Sequence, residues 1–373
     1  MKLQSRVCEI LEIEQPIVLA GMGGASSPAL AAAVSNAGGL GVLGAAACGP
    51  RQLREWIRQT REMTDKPFGV DTLLPASVRR ANYDDNDGPT PMDLLPERQA
   101  FAEEFMRQEG LEPPEPGSLQ RGPDDDEPAL FTKEFFEAQM EVIIQERVPV
   151  YASGLGNPGP WMSERRANGT KVMAVIRAVR HAIQVKSSGL DIIVAQGHDG
   201  GGHNSPVGTM ALIPQVVDAV GDTPVLGAGG ISDGRGVAAA LMLGAEGVWV
   251  GSAFLASEEA NIFDFQKQAI VDATEEGTSV SRTVTGKPAR IIRSKWTDHW
   301  VREDVEPLPM PYQGMISGPV MAAANKEGRG DVNPGFAGQG IGMIKAVRPA
   351  KEIFDELVFG AEQALSGTTN LLR

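Results

Sequence analysis

Residues 224–252, PVLGAGGISDGRGVAAALMLGAEGVWVGS, hold an apolar run, a glycine-rich turn, a small-residue helical stretch and a second apolar run in succession. That order is a βαβ unit, two parallel strands joined by a crossover helix. The same alternation extends upstream. PIVLAG (16–21), LGVLG (40–44), PFGVDTLL (67–74), VPVYAS (148–153), KVMAVI (171–176) and LDIIVAQ (190–196) read as strands. Stretches such as PRQLREWIRQTREM, KEFFEAQMEVIIQER and MALIPQVVDAVG read as the helices between them. The strands begin near residues 17, 40, 68, 148, 171, 191, 224 and 247, which makes eight. Eight βα units predict an α/β fold, a (β/α)8 TIM barrel, with its ligand site at the C-terminal ends of the strands.

Two segments fall outside this repeat. The barrel is expected from 1–76 and 133–259, and residues 77–132 form an insertion after the third strand. The insertion holds eight of the 26 prolines and 14 acidic residues against five arginines, so it carries −9 of the total charge of −14. Such a stretch offers little to bury, yet PERQAFAEEFMRQEG (96–110) has the apolar spacing of a short amphipathic helix. A lid over the ligand face and a solvated decoration both remain open, because long loops in domains are either functional or disordered. Residues 260–373 are a C-terminal extension, expected to pack on the barrel's outside or on its mouth.

Bulk composition narrows the partner. A chain of 373 residues that is 42% hydrophobic can bury a large core. Its net charge of −14 opposes binding to nucleic acid or to an anionic membrane, leaving a small molecule as the expected ligand. Cys8 and Cys48 are the two cysteines, and no apolar run reaches 18 residues. A disulfide framework, a cysteine zinc site, an export signal and a membrane span are therefore not expected, and a reducing cytoplasm fits best. No His and carboxylate pair has metal-ligand spacing on one helix, so no metal site is expected.

The glycine-rich ends of the seventh and eighth strands carry the first ligand signal. Gly229, Gly230, Gly251 and Ser252 let backbone N–H groups approach an anion closely, and these two loops commonly hold phosphate in a barrel. Ordinary tight βα turns also use glycine. GAGGISDGRG lacks the spacing and the downstream acid of a dinucleotide fingerprint. At the sixth strand, AQGHDGGGH (195–203) places an amide, Gln196, before four glycines and two histidines. Gln196 can donate and accept hydrogen bonds. An imidazole titrates near neutrality, so His198 and His203 are both candidates for proton transfer. The tail run KWTDHW (295–300) is expected to bury its tryptophans, over the mouth or elsewhere. Arg290 and Arg293 face either an anionic substrate or water.

Taken together, AQGHDGGGHNS, GTMALIPQVVDAV, PVLGAGGISDGRGVAAALMLGAEGVWVGSAFL and GFAGQGIGMI resemble the nitronate monooxygenase family, and PIVLAGMGGASSPALAAAVSNAGGLGVLG is similar to its N-terminal half. The resemblance spans most of the barrel and the end of the tail, not the insertion. It implies an FMN-dependent barrel that oxidises alkyl nitronates, propionate 3-nitronate among them, with O2 to a carbonyl compound and nitrite. It further implies that His203 is the active-site histidine. Gln196 and Gly201 would be FMN contacts, Gly230 the phosphate-loop glycine, and Trp249, Val250, Gly251 and Ser252 the second phosphate segment. Gly21 and Met22 would line the flavin. At the third strand the family's usual asparagine is Asp71, which puts a carboxylate where an amide is expected. Related barrels are commonly homodimers. The same scaffold also hosts FMN-dependent oxidoreductases of acyl-thioesters, namely enoyl reductases and CoA-thioester dehydrogenases, and NAD(P)H:quinone reductases. A non-enzymatic phosphate-ligand or flavin-binding barrel is the reading from a different class.

Overall fold

The computed structural model describes residues 3–74, 90–115, 127–130 and 132–368. The strands are β1 (Ile17–Leu19), β2 (Gly41–Gly44), β3 (Phe68–Leu73), β4 (Val150–Leu155), β5 (Lys171–Ile176), β6 (Ile192–Gln196), β7 (Gly202–His203), β8 (Val225–Ala228), β9 (Gly247–Val250), β10 (Thr278–Ser281) and β11 (Ala289–Ile292). Eight of them pair in parallel in the order β1-β9-β8-β6-β5-β4-β3-β2. A parallel bridge between Val18 and Leu40 brings the two ends together, with Leu19 N–H donating to the Leu40 carbonyl at 2.9 Å. The result is the expected TIM barrel. Each strand begins within two residues of its expected start. β4 starts at Val150 because Pro149 has no N–H for the ladder.

The strands are apolar on both faces because each face is covered. On β6, Ile193 and Ala195 pack under the surrounding helices, while Ile192 and Val194 point into the barrel beside Val18, Val42, Met173, Leu226 and Trp249. The helix Arg6–Leu11 joins this inner cluster through Val7, Cys8 and Leu11. Its side chains fill the interior from the N-terminal side, and a cavity opens at the C-terminal strand ends.

The insertion and the extension meet each other. A helix runs Pro91–Glu109, capped by Thr90, whose hydroxyl accepts from Asp93 N–H while the Asp93 carboxylate accepts from Thr90 N–H. It starts five residues before the expected Pro96, with Pro91 in the tolerated first helical position and Pro96 inside the helix. Leu95, Ala102, Phe105 and Met106 pack against Trp296 and Trp300 of the helix Lys295–Arg302 and Ile316 and Val320 of the helix Tyr312–Lys326. The tryptophans of KWTDHW thus bury themselves between insertion and extension. Glu109 anchors the helix end, accepting from Lys295 and from Arg329, each at 2.8 Å. None of the described insertion residues lines the cavity, and 75–89, 116–126 and 131 lie outside the described residues. The extension instead contributes β10 and β11, and β11 pairs antiparallel with β7 by matching Ala289 with His203 and Arg290 with Gly202.

Candidate active site

A cavity of about 490 Å³ lies at the C-terminal ends of the barrel strands. Its lining brings together Gly21, Met22, Asp71, Gln196, Gly201, His203, Gly229, Gly230, Trp249, Gly251 and Ser252. Val250 is the exception, since alternation turns its side chain outward into the shell between strands and helices. Gly229 and Gly230 have φ of 106° and 72°, conformations that side chains with a Cβ rarely adopt, so the turn after β8 requires glycine at both. Ser252 Oγ accepts the Gly338 N–H at 2.8 Å and so ties the turn after β9 to the extension.

The loop between β6 and the helix Thr209–Val220 is held from several sides. Gln196 Nε2 donates to the carbonyls of Gly201 and His203, both at 3.2 Å. Arg177, one residue past β5, donates its Nε–H to the His203 carbonyl at 3.0 Å. His198 turns away from the cavity, with Nδ1 2.9 Å from the Ser205 carbonyl. Its own carbonyl accepts from Asn204 and from Arg290, and the latter is buried in this bracing role instead of facing a substrate. The two histidines of AQGHDGGGH therefore separate: one braces the loop and the other reaches the cavity.

His203 Nδ1 lies 3.2 Å from the Pro288 carbonyl. A carbonyl only accepts, so Nδ1 carries the proton and Nε2 of the neutral ring keeps its lone pair. Burial holds the imidazole below its ordinary value, and the charges of Arg177 and Lys287 act the same way against the opposing Pro288 contact. The arrangement can take up a proton at Nε2 and can hold an anion beside Arg177.

The match to known proteins bears on which chemistry uses this geometry. Residues 4–360 fit the family model described as nitronate monooxygenase. The chain belongs to that family. A Staphylococcus aureus protein named "Probable nitronate monooxygenase" is 31% identical over 95% of this chain and 96% of its own. Rv1533 of Mycobacterium tuberculosis, named as a candidate monooxygenase, is 38% identical over 95% and 96%. Solved structures are similar as well. Nitroalkane oxidase from Streptomyces ansochromogenes has a TM-score of 0.80 and 28% identity over 97% of this chain and 99% of that one. FabK from Thermotoga maritima has a TM-score of 0.74 and 31% identity over 99% of both. Members of the nitronate monooxygenase family are flavin-dependent oxidoreductases, so this chain is an enzyme and the non-enzymatic reading is set aside.

Family membership says nothing of several cavity residues that the sequence reading passed over. Arg177 was hidden because KVMAVI ends at Ile176, yet Met173 and Val175 face inward and period-two alternation places residue 177 next on that face. Gln266, Asn333 and Pro334 also line the cavity from the extension, next to Gly335 and Phe336 of the GFAGQGIGMI stretch. No periodicity of the tail pointed to them, because their placement follows from long-range packing alone.

Proposed function

We propose that this chain binds FMN in the cavity and oxidises alkyl nitronates, propionate 3-nitronate among them, with O2 to a carbonyl compound and nitrite. The observation that carries this reading is His203, held by Nδ1 with Nε2 unprotonated, near Arg177 in the lining of a glycine-walled cavity. The residues suit FMN. Gly229, Gly230 and Gly251 offer backbone approach for a phosphate, the hydroxyls of Ser232 and Ser252 lie on the same wall, and Gln196 offers an amide to a polar chain or ring edge. FMN, when bound, would supply electron acceptance and the reaction with O2.

The chain's own work is placement and proton handling. A nitronate is already an anion, and the positive charge of Arg177 favours it in the cavity. A neutral nitroalkane must first lose its α-proton, which Nε2 of His203 is placed to accept. The pH dependence follows in sign. Only the neutral ring is a base, and a lowered pKa keeps it neutral to lower pH, so kcat/KM for a nitroalkane falls on the acid side with a midpoint below the ordinary 6.5. Steady-state profiles check this, and a midpoint above 6.5 contradicts it.

The similarity to FabK over nearly the whole chain favours a second reading, an FMN oxidoreductase of acyl-thioesters. Anaerobic mixing separates the two. Bleaching of bound flavin by a nitronate but not by NADH or NADPH is the expected result, and bleaching by NAD(P)H alone would establish a reductase instead.

A further inference from the structure

Asp71 points into the barrel from β3, in register with Gly44 of β2 and Ala152 of β4, and is 7% exposed. Its carboxyl is walled by backbone. A Cβ on Gly21 would lie 2.2 Å from Asp71 Cβ and 2.5 Å from Oδ2, and one on Gly154 would lie 2.5 Å from Oδ1. The backbone of Gly154 exerts a weak pull toward the ionised form. Arg177 is the nearby cation, but its Nε–H goes to the His203 carbonyl and an Nη to the Gly154 carbonyl at 3.4 Å, neither to the carboxyl. On the neighbouring strand, Tyr151 is also titratable and bonds to Thr72 Oγ1 at 2.9 Å, while the charge of Arg177 also acts on His203 and Lys287.

A buried carboxylate without an ion-pair partner is strongly disfavoured, and burial here holds the group well above the ordinary carboxylate range against the weaker pull of Gly154 and Arg177. A neutral acid has one O–H to donate. The glycine walls bring no side-chain acceptor, and the carboxyl lines the open cavity, where an O–H can meet a ligand.

We propose that Asp71 is a positioning residue that works as a neutral carboxylic acid, donating its O–H to an acceptor atom of the flavin ring, and that ionising it weakens flavin binding. The ionised form has only acceptors and would set lone pairs against lone pairs. The inference rests on the FMN reading above. It identifies this carboxylic acid as the functional equivalent of a side-chain amide, which also carries one acceptor oxygen and a donor.

The full chain, with Asp71→Asn and Asp71→Leu, tests it by infrared difference spectroscopy and by FMN titration followed through flavin fluorescence. The wild type is expected to show a protonated-carboxyl C=O band at neutral pH that Asp71→Asn lacks. Asp71→Asn should keep the wild-type FMN affinity at neutral pH, and Asp71→Leu should lose about tenfold, the worth of one hydrogen bond. At the alkaline pH where the band disappears, wild-type affinity should drop about tenfold relative to Asp71→Asn. Absence of the band at neutral pH, or equal affinity of Asp71→Leu and wild type, overturns the proposal. A wild type that shows the band and takes up no FMN sinks the flavin reading instead.

Discussion

His203→Asn is expected to leave FMN bound and to lower turnover of a neutral nitroalkane by about 10²–10⁴-fold, the range that a positioned general base contributes. The loop does not depend on the imidazole. It is the His203 backbone that pairs with Ala289 on β11 and accepts from Arg177 and Gln196, and these contacts survive the substitution. Asparagine can still donate to the Pro288 carbonyl, but it offers no basic nitrogen to the cavity. The loss should be smaller with a preformed nitronate, whose proton is already gone. Steady-state rates on both substrates, with the flavin content of each preparation measured, make the comparison. Near-normal nitroalkane turnover in the flavin-loaded variant would exclude His203 as the base.

Trp296→Ala is expected to destabilise the protein by about 3–5 kcal/mol, as for other large buried aromatics. The side chain is fully buried, with ring centroids 5.1 Å from Phe105 of the insertion and 5.4 Å from Trp300. Its Nε1–H donates to the Thr283 carbonyl at 3.1 Å. The helix that carries it starts three residues after β11, the strand that pairs with the His203 loop. Loosening this cluster should therefore also raise KM. Val301, on the same helix but 81% exposed, is the control, and Val301→Ala should change stability by less than about 0.5 kcal/mol. Denaturant unfolding and substrate saturation measure both effects. Equal stability of the two variants would show that the insertion and extension do not share a core.

Legibility of the fold varied with how local its determinants are. The barrel could be read because each strand declares itself within about six residues through apolar composition and a glycine turn, and each helix through its spacing. Gln196, His203, Gly229 and Gly230 could be located because they sit at strand ends, where a barrel must present its chemistry. The path of KWTDHW could not be settled, since a buried Trp shows only that it needs a partner. Here that partner is Phe105, nearly two hundred residues upstream. Arg177 was passed over for the opposite reason, because a cation just beyond a strand end looks like an ordinary solvated residue.

By itself, the sequence determined the eight βα units, the end of the barrel that opens, and the glycine loops and histidine found there. These follow from periodicity and turn chemistry, which act between neighbours along the chain. Tertiary structure alone decided the chemical state of those groups. The His203 ring keeps Nε2 unprotonated because the Pro288 carbonyl, 85 residues away, accepts from Nδ1–H and because burial and Arg177 disfavour the charged form. Asp71 is driven toward its neutral form because burial in the barrel outweighs the opposing pull of Gly154 and Arg177. Protonation depends on dielectric and on neighbours in space, and neither can be computed from positions along a chain.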